Sequence, residues 1–523
     1  MVCFAQMIGQ DVCVSCTYAV LLGDKSTQNR RGNAMGSRAG FPGPLCAMSA
    51  GNAAALAGKA PDPAAGNKKP LPPGEVAAVR LTERVVGADS ISARAWLPLP
   101  RELSAQPTEG EKCGGVTTET FSCFFSRDIV LLKETFFAKR SIPMDLELYN
   151  SYLEIDFRKM KRSMDTVLAA IGPNKGIIPV VKADAYGQGI TKIVEFLVKN
   201  YGIKAVACAQ VFEAARIREA GFTDIDIIVM GAAPAHIMPY AVQHRVQLPV
   251  FSRETAKMLS DAAREAGVEM EVQLKIETGM NRIGVKPGAD LAALLAYLRE
   301  LGNLKVAGVF THFSTATYTE DPFVYEQYDL FCKAVAQIRE SGIEPRYIHC
   351  ANSGATGWFK EDLCTHVRPG SLYMGHASMD DDTNALGVEG CTSWRAFITH
   401  IHDIAPGESC GYCRHFMNDT DHPIAVATVD VGYADGLYRP VGQKGGPVLV
   451  GDTRARCLAT CMDQTMVDVT GLDCKVGDEV TFFGWSRGGA AITLEEYQTV
   501  TGQNLSLPLC LLTARVKRVY LED

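Results

Sequence analysis

The sequence predicts an α/β protein: a (β/α)₈ TIM-type barrel followed by a C-terminal, mainly β domain. Three observations carry that expectation. Eight short β-branched runs alternate with amphipathic segments between residues 176 and 373. Polar, chemically capable residues cluster where those runs end. After residue 390 the helical pattern gives way to strands joined by Gly and Asp turns.

The strand candidates, in order, are GIIPVVKA (176–183), KAVACA (204–209), DIIVMG (226–231), QLPVF (247–251), EVQLKIE (271–277), VAGVFTHF (306–313), YIHCAN (347–352) and THVRPGSLY (365–373). Amphipathic segments such as 252–267 and 288–302 lie between them. Eight strands with intervening helices over about 240 residues are what a closed barrel requires. The competing open, doubly wound sheet lacks its G-x-G-x-x-G turn after the first strand. Lys182, His312, Asn352, Ser353 and Arg368 fall at strand ends, where a barrel builds its active-site mouth. Taken singly, such a lysine is a solvated loop residue and such a histidine a hydrogen-bonded structural one. Five on different strands point to chemistry. In the last third, 423–436, 446–460, 478–484 and 514–522 read as strands, and 493–502 as the one helix of useful length.

Composition bounds the function. The 523 residues are 47% hydrophobic and 21% charged, as in ordinary globular proteins. No run approaches the roughly 18 apolar residues of a membrane span. A net charge of −7 argues against a nucleic-acid partner, and a cytoplasmic enzyme is expected. The chain has two regimes. Residues 1–143 hold 16 Lys and Arg against 12 Asp and Glu, 11 of the 25 prolines and no histidine. They read as a disordered, low-complexity extension, a targeting segment or an over-called start. The expected domains are therefore 1–143, a barrel over 144–388 and a β domain over 389–523. The 17 cysteines include two Cys-x-x-Cys pairs, Cys13/Cys16 and Cys410/Cys413, without the second pair a zinc site needs, so no metal is expected.

VVKADAYGQG (180–189) resembles the cofactor segment of alanine racemases, fold-type III enzymes dependent on pyridoxal 5′-phosphate. The resemblance continues in family order through KIETGMNRIG (275–284), THFSTA (311–316), ANSGA (351–355) and VRPGSLYMG (367–375). In the β domain it takes in GESCGYCR (407–414), VGYADGLYR (431–439) and CMDQTMVD (461–468). Eight motifs in order make a specific match that covers everything from Met144 onward.

The resemblance implies roles. Lys182 is the Schiff-base lysine and one of two bases; burial must lower its pKa from the ordinary value near 10.4 for it to act at neutral pH. Tyr412 is the base on the opposite face, brought by the partner subunit of a head-to-tail homodimer and linked to His312 and Arg368. Arg368 faces the pyridine nitrogen and, unable to accept a proton, disfavours the pyridinium. Tyr186, Ser353, Gly370 and Ser371 hold the phosphate, with Asn352 beside them. Arg282 and the backbone at Met462 receive the substrate carboxylate. Lys275 stands where the family carries a carbamylated lysine orienting that arginine. Tyr433 and Asp463 match the entry corridor and inner gate.

Four positions depart from the family pattern. Gln188 replaces a histidine at a position expected to be peripheral. Glu277 replaces an aspartate, and Cys413 a glycine. Ala514 replaces a tyrosine near the phosphate and the substrate side chain, which opens the alternative of a serine or broad-specificity racemase. The expected product is D-alanine for peptidoglycan.

Overall fold

The computed structural model describes residues 148–376 and 386–522; the expected extension 1–143 lies outside them. Within the described part, strand β1 (Ser151–Asp156) leads directly into a helix over Phe157–Ile171. Asp156 caps that helix, accepting from the amides of Arg158 at 2.9 Å and Lys159 at 3.3 Å. Its apolar stripe, Met160, Met164, Val167 and Ile171, has helical spacing and is buried.

Eight parallel strands then form the barrel: β2 (Gly176–Ile177), β3 (Ala205–Cys208), β4 (Asp226–Val229), β5 (Leu248–Val250), β6 (Met270–Lys275), β7 (Leu304–Phe310), β8 (Tyr347–His349) and β9 (His366–Val367). Closure is complete. Single bridges join Val180 to Ala207 and Ile228 to Gln247, the Thr365 amide donates to Ile348 at 2.9 Å, and β2 pairs with β9. All eight expected strands are present, but shorter at their C-terminal ends. Those ends turn outward as the loops of the barrel mouth, which is why the chemistry-bearing residues follow the strands rather than sit in them.

The β domain is built on a long strand, β10 (Thr392–Ile404), which the sequence reading did not single out. It is followed by a small hairpin, β11 (Ser409–Cys410) and β12 (Phe416–Met417), and then by β13 (Ile424–Val429), β14 (Pro447–Val450), β15 (Thr453–Thr460), β16 (Thr465–Asp468), β17 (Glu479–Trp485), β18 (Ala491–Ile492) and β19 (Lys517–Leu521). The single run expected over 446–460 is two strands turning at Gly451 (φ +59°). The helix expected over 493–502 spans Leu494–Thr501, capped by Thr493. β10 pairs with β13 and also with β17, so the sheet curls back on itself.

One strand crosses the expected domain boundary. β1, counted with the barrel in the sequence reading, lies between β10 and β19 in the β-domain sheet. The two domains are thus stitched together at the first described strand. Among the described residues no helix is long and apolar enough to cross a membrane, and no group of three or more His, Cys, Asp or Glu could hold a metal ion.

Candidate active site

Lys182 follows β2 and opens a turn of unusual backbone. Ala183, Asp184, Ala185 and Tyr186 all have φ of 54–55°, a single left-handed helical turn. Each L-residue in that conformation costs roughly 1–2 kcal/mol, so the turn persists only because its surroundings over-determine it. Glu213 takes the Ala183 amide on one carboxylate oxygen and the amides of Ala209 (2.8 Å) and Gln210 (3.0 Å) on the other. Asp184 accepts from the Ile190 amide at 3.0 Å and from Arg216 at 2.7 Å. Gly187 closes the turn at φ +77°, where a Cβ would meet the Leu509 carbonyl at 2.1 Å. The result is a rigid mount that aims Lys182 and Tyr186 into one space.

That space is a cavity of about 330 Å³ at the barrel mouth, within the usual size of a small-ligand pocket. Lys182, Tyr186, His312, Asn352, Ser353, Arg368, Gly370 and Ser371 all line it. Ser353 Oγ accepts the Gly370 amide at 2.8 Å. A Cβ on Gly370 would fall 2.1 Å from Tyr186 Oη, so only glycine lets the tyrosine hydroxyl approach this backbone. Tyr186 packs below Lys182, whose Nζ is 5.9 Å from the ring centroid.

The electrostatics are strongly cationic. Arg368 is 2% exposed and donates to the carbonyls of Thr311 (2.8 Å), His349 (2.7 Å) and Cys350 (3.2 Å), to His349 Nδ1 at 2.7 Å and to His312 Nδ1 at 3.4 Å. Burial pulls its pKa down to about 10. Burial, and then the nearby Arg282, also lower Lys182 below the usual lysine value. His312 is held well below its ordinary pKa by burial and by Arg368, Arg282, Lys182 and Lys275, so its imidazole is neutral. Such a site suits a phosphate and a carboxylate beside a lysine amine of lowered basicity.

Lys275 ends β6, is 3% exposed, and donates to the Ile276 carbonyl at 2.7 Å. Burial lowers its pKa to about 8, with Arg368 and Arg282 adding to the effect and Glu277 opposing it. The chain after Lys275 folds back through an Ile276–Val285 bridge and carries Arg282, which is exposed. Glu277 accepts the Gly279 amide at 2.6 Å, while its other oxygen is buried and without a hydrogen-bond partner in the described structure.

The remaining expected residues lie elsewhere. Tyr412, Met462 and Tyr433 are exposed at 67%, 50% and 41% on the β domain, and none lines the cavity. Asp463 is paired with Arg515 at 2.7 Å. Tyr412 sits in the β11–β12 hairpin between Gly411 (φ +78°) and Cys413 (φ +59°). The left-handed backbone at Cys413 gives the physical reason a glycine is usual there. Gln188, expected to be peripheral, is fully buried: its Nε2 lies 3.0 Å from Met374 Sδ and its carbonyl accepts the Tyr520 hydroxyl at 2.8 Å. Ala514 is exposed and outside the cavity lining. Three polar residues that sequence reasoning missed, Gln498, Asn504 and Ser506, overhang the cavity from the C-terminal segment. His349 was also missed, although its place within YIHCAN, three residues before Asn352, was a readable signal.

Two family models match the chain in succession, the alanine racemase N-terminal domain over 155–378 and the alanine racemase C-terminal domain over 391–520. Among curated relatives, alanine racemase of Clostridium tetani is 32% identical over 375 residues, covering 71% of this chain and 95% of its own. Alanine racemase of Geobacter sulfurreducens is 35% identical over 373 residues, covering 70% and 96%. The solved alanine racemase of Streptomyces coelicolor A3(2) superposes with a TM-score of 0.67 at 28% identity, covering 73% of this chain and all of that one. Barrel, β domain and sequence agree: the chain belongs to the alanine racemase family and is an amino-acid racemase.

Proposed function

We propose that this protein interconverts L-alanine and D-alanine with pyridoxal 5′-phosphate in the barrel mouth, as a cytoplasmic homodimer that supplies D-alanine for peptidoglycan. The observation that carries the reading is Lys182, half-buried and of lowered basicity, facing a cradle of glycine and hydroxyls above the buried Arg368. The residues fit the cofactor. Tyr186, Ser353, Gly370 and Ser371 would hold the phosphate, and the close approach of the Tyr186 hydroxyl to the Gly370 backbone serves that end. Asn352 and His312 would line the ring, and Arg368 would face its nitrogen. When bound, the cofactor supplies an electron sink that acidifies the α-proton of an attached amino acid.

The chain's own residues do the rest. Lys182 anchors the cofactor, and its freed amine takes or returns the α-proton on one face. Tyr412 of a second copy does so on the other, which accounts for an exposed tyrosine on a rigid hairpin outside its own chain's cavity. Arg282, with the Met462 backbone, grips the substrate carboxylate. Lys275 orients Arg282; as a carbamate it would do so by charge pairing, and a pKa of about 8 leaves a neutral amine fraction able to add to carbon dioxide with loss of a proton. Tyr433 and Asp463 guard the entry. A second reading, serine or broad-specificity racemisation, is favoured by the polar overhang of Gln498, Asn504 and Ser506.

Full-length protein, supplied with pyridoxal 5′-phosphate, is incubated separately with L-alanine and L-serine and the products are separated by chiral chromatography. D-alanine well above D-serine supports the main reading. Comparable D-serine moves the assignment to the second. No D-product from either overturns both.

A further inference from the structure

Behind Arg368 a row of buried polar side chains runs down the barrel interior. Arg368 Nη1 donates to His349 Nδ1 at 2.7 Å. His349 Nε2 lies 3.1 Å from Gln273 Oε1. Gln273 Nε2 donates to Gln247 Oε1 at 2.6 Å, and Gln247 Nε2 to Glu271 Oε2 at 2.8 Å. Glu271 is gripped by both terminal nitrogens of Arg346, at 2.8 and 2.6 Å. His349 and Gln273 are fully buried and Gln247 nearly so, whereas Glu271 and Arg346 are half-exposed at the far end.

The row has one possible polarity. A guanidinium only donates and a carboxylate only accepts. Glu271 therefore requires the amino group of Gln247, which leaves the Gln247 carbonyl to take the Gln273 amino group. The Gln273 carbonyl then faces His349, whose Nε2 must carry the proton. Nδ1 is left bare, and that is what Arg368 needs. Reasoning from either end gives the same result. The backbone is shaped for it as well: a β-bulge interrupts β6 against β7 between Val272 and Gln273, and a Cβ on Gly308 would fall 2.2 Å from Gln273 Oε1.

We propose that Gln273 is a positioning residue for Arg368, acting through His349, and that Glu271 at the far end of the barrel fixes the hydrogen-bond direction of the whole row. The proposal rests on the reading that Arg368 faces the cofactor's ring nitrogen. A reversed Gln273 amide would set its amino group against His349 Nε2–H and break the Arg368–His349 bond.

The test uses Gln273→Met, which keeps the volume and removes the amide, and Glu271→Gln, a half-exposed change far from the cavity that frees the row to reverse. In full-length, cofactor-free protein, long-range ¹H–¹⁵N NMR of the His349 ring is expected to show a single Nε2–H tautomer with slow proton exchange. Both variants are expected to speed that exchange at least tenfold or to add a second tautomer. In the loaded enzyme they are expected to lower kcat about tenfold with KM nearly unchanged, and to shift the pH profile of the cofactor's absorbance. A ring signal and absorbance profile unchanged in Glu271→Gln, or in both variants, overturns the proposal. Should Gln273→Met fail to fold, Glu271→Gln decides alone. If the wild type shows the expected tautomer but racemises nothing, the functional reading falls and the row stands.

Discussion

The cavity around Lys182 and the hairpin around Tyr412 are built in opposite ways. At the barrel mouth, strain and burial are both high: four consecutive left-handed residues are pinned by Glu213, Asp184 and Leu509, and Arg368 is immersed among carbonyls and histidines. At the hairpin, Tyr412 stands in solvent, held only by the backbone on either side of it. The first region is finished within the chain, whereas the second is presented outward. A fold can fix an electrostatic environment only where it excludes water, so cation clustering and lowered basicity appear in the first region alone.

The comparison breaks most severely if the two halves do not meet. Lys182→Ala and Tyr412→Phe are each expected to reduce racemisation by about 10³-fold. Co-expressed, they are expected to form mixed dimers with one intact site and to regain activity far above either parent; absence of recovery would remove the composite site. Next in size, Gly370→Ala drives a methyl against Tyr186 Oη and is expected to weaken cofactor binding by at least about tenfold, measured by absorbance titration, with far-UV circular dichroism unchanged.

Lys275 gives a smaller, pH-dependent effect. Its folded pKa of about 8 lies below the unfolded value, so between those two pH values the unfolded chain binds more protons and folding gains stability as pH rises. Below pH 8 the full penalty of burying the cation remains. Lys275→Met is therefore expected to raise Tm at pH 7 by about 2 °C or more and by less at pH 9.5, as calorimetry would show. Smallest of all, Cys413→Gly relieves a left-handed non-glycine residue and is expected to add about 1 kcal/mol in chemical denaturation without changing the substrate preference.

The sequence made the barrel legible because its strands are buried on both faces and read as continuous apolar runs. β10 was missed because the buried polar residues Ser393 and Arg395 interrupt the apolar run of its first half, while its second half exposes Thr399, His400, His402 and Asp403. The alternation in EVQLKIE was readable as a strand, but its orientation was not. Val272, Leu274 and Ile276 join the apolar core, so Glu271, Gln273 and Lys275 take the opposite face, toward the barrel interior. The overhang of Gln498, Asn504 and Ser506 was invisible for a different reason: it depends on how a distant segment docks, and no local pattern encodes that.

The placement of β1 has a consequence for how the molecule comes into being. Tyr152 pairs with Lys517 and Asp156 with Leu521, so one of the earliest described strands waits for the latest before both its edges are covered. During synthesis the barrel can close while β1 still offers a bare edge to other chains. Completion of the β domain must then come late, as a long-range closure that is slow by its topology. Cutting the polypeptide between barrel and β domain would not yield two independent pieces, since the second would lack an interior strand of its own sheet.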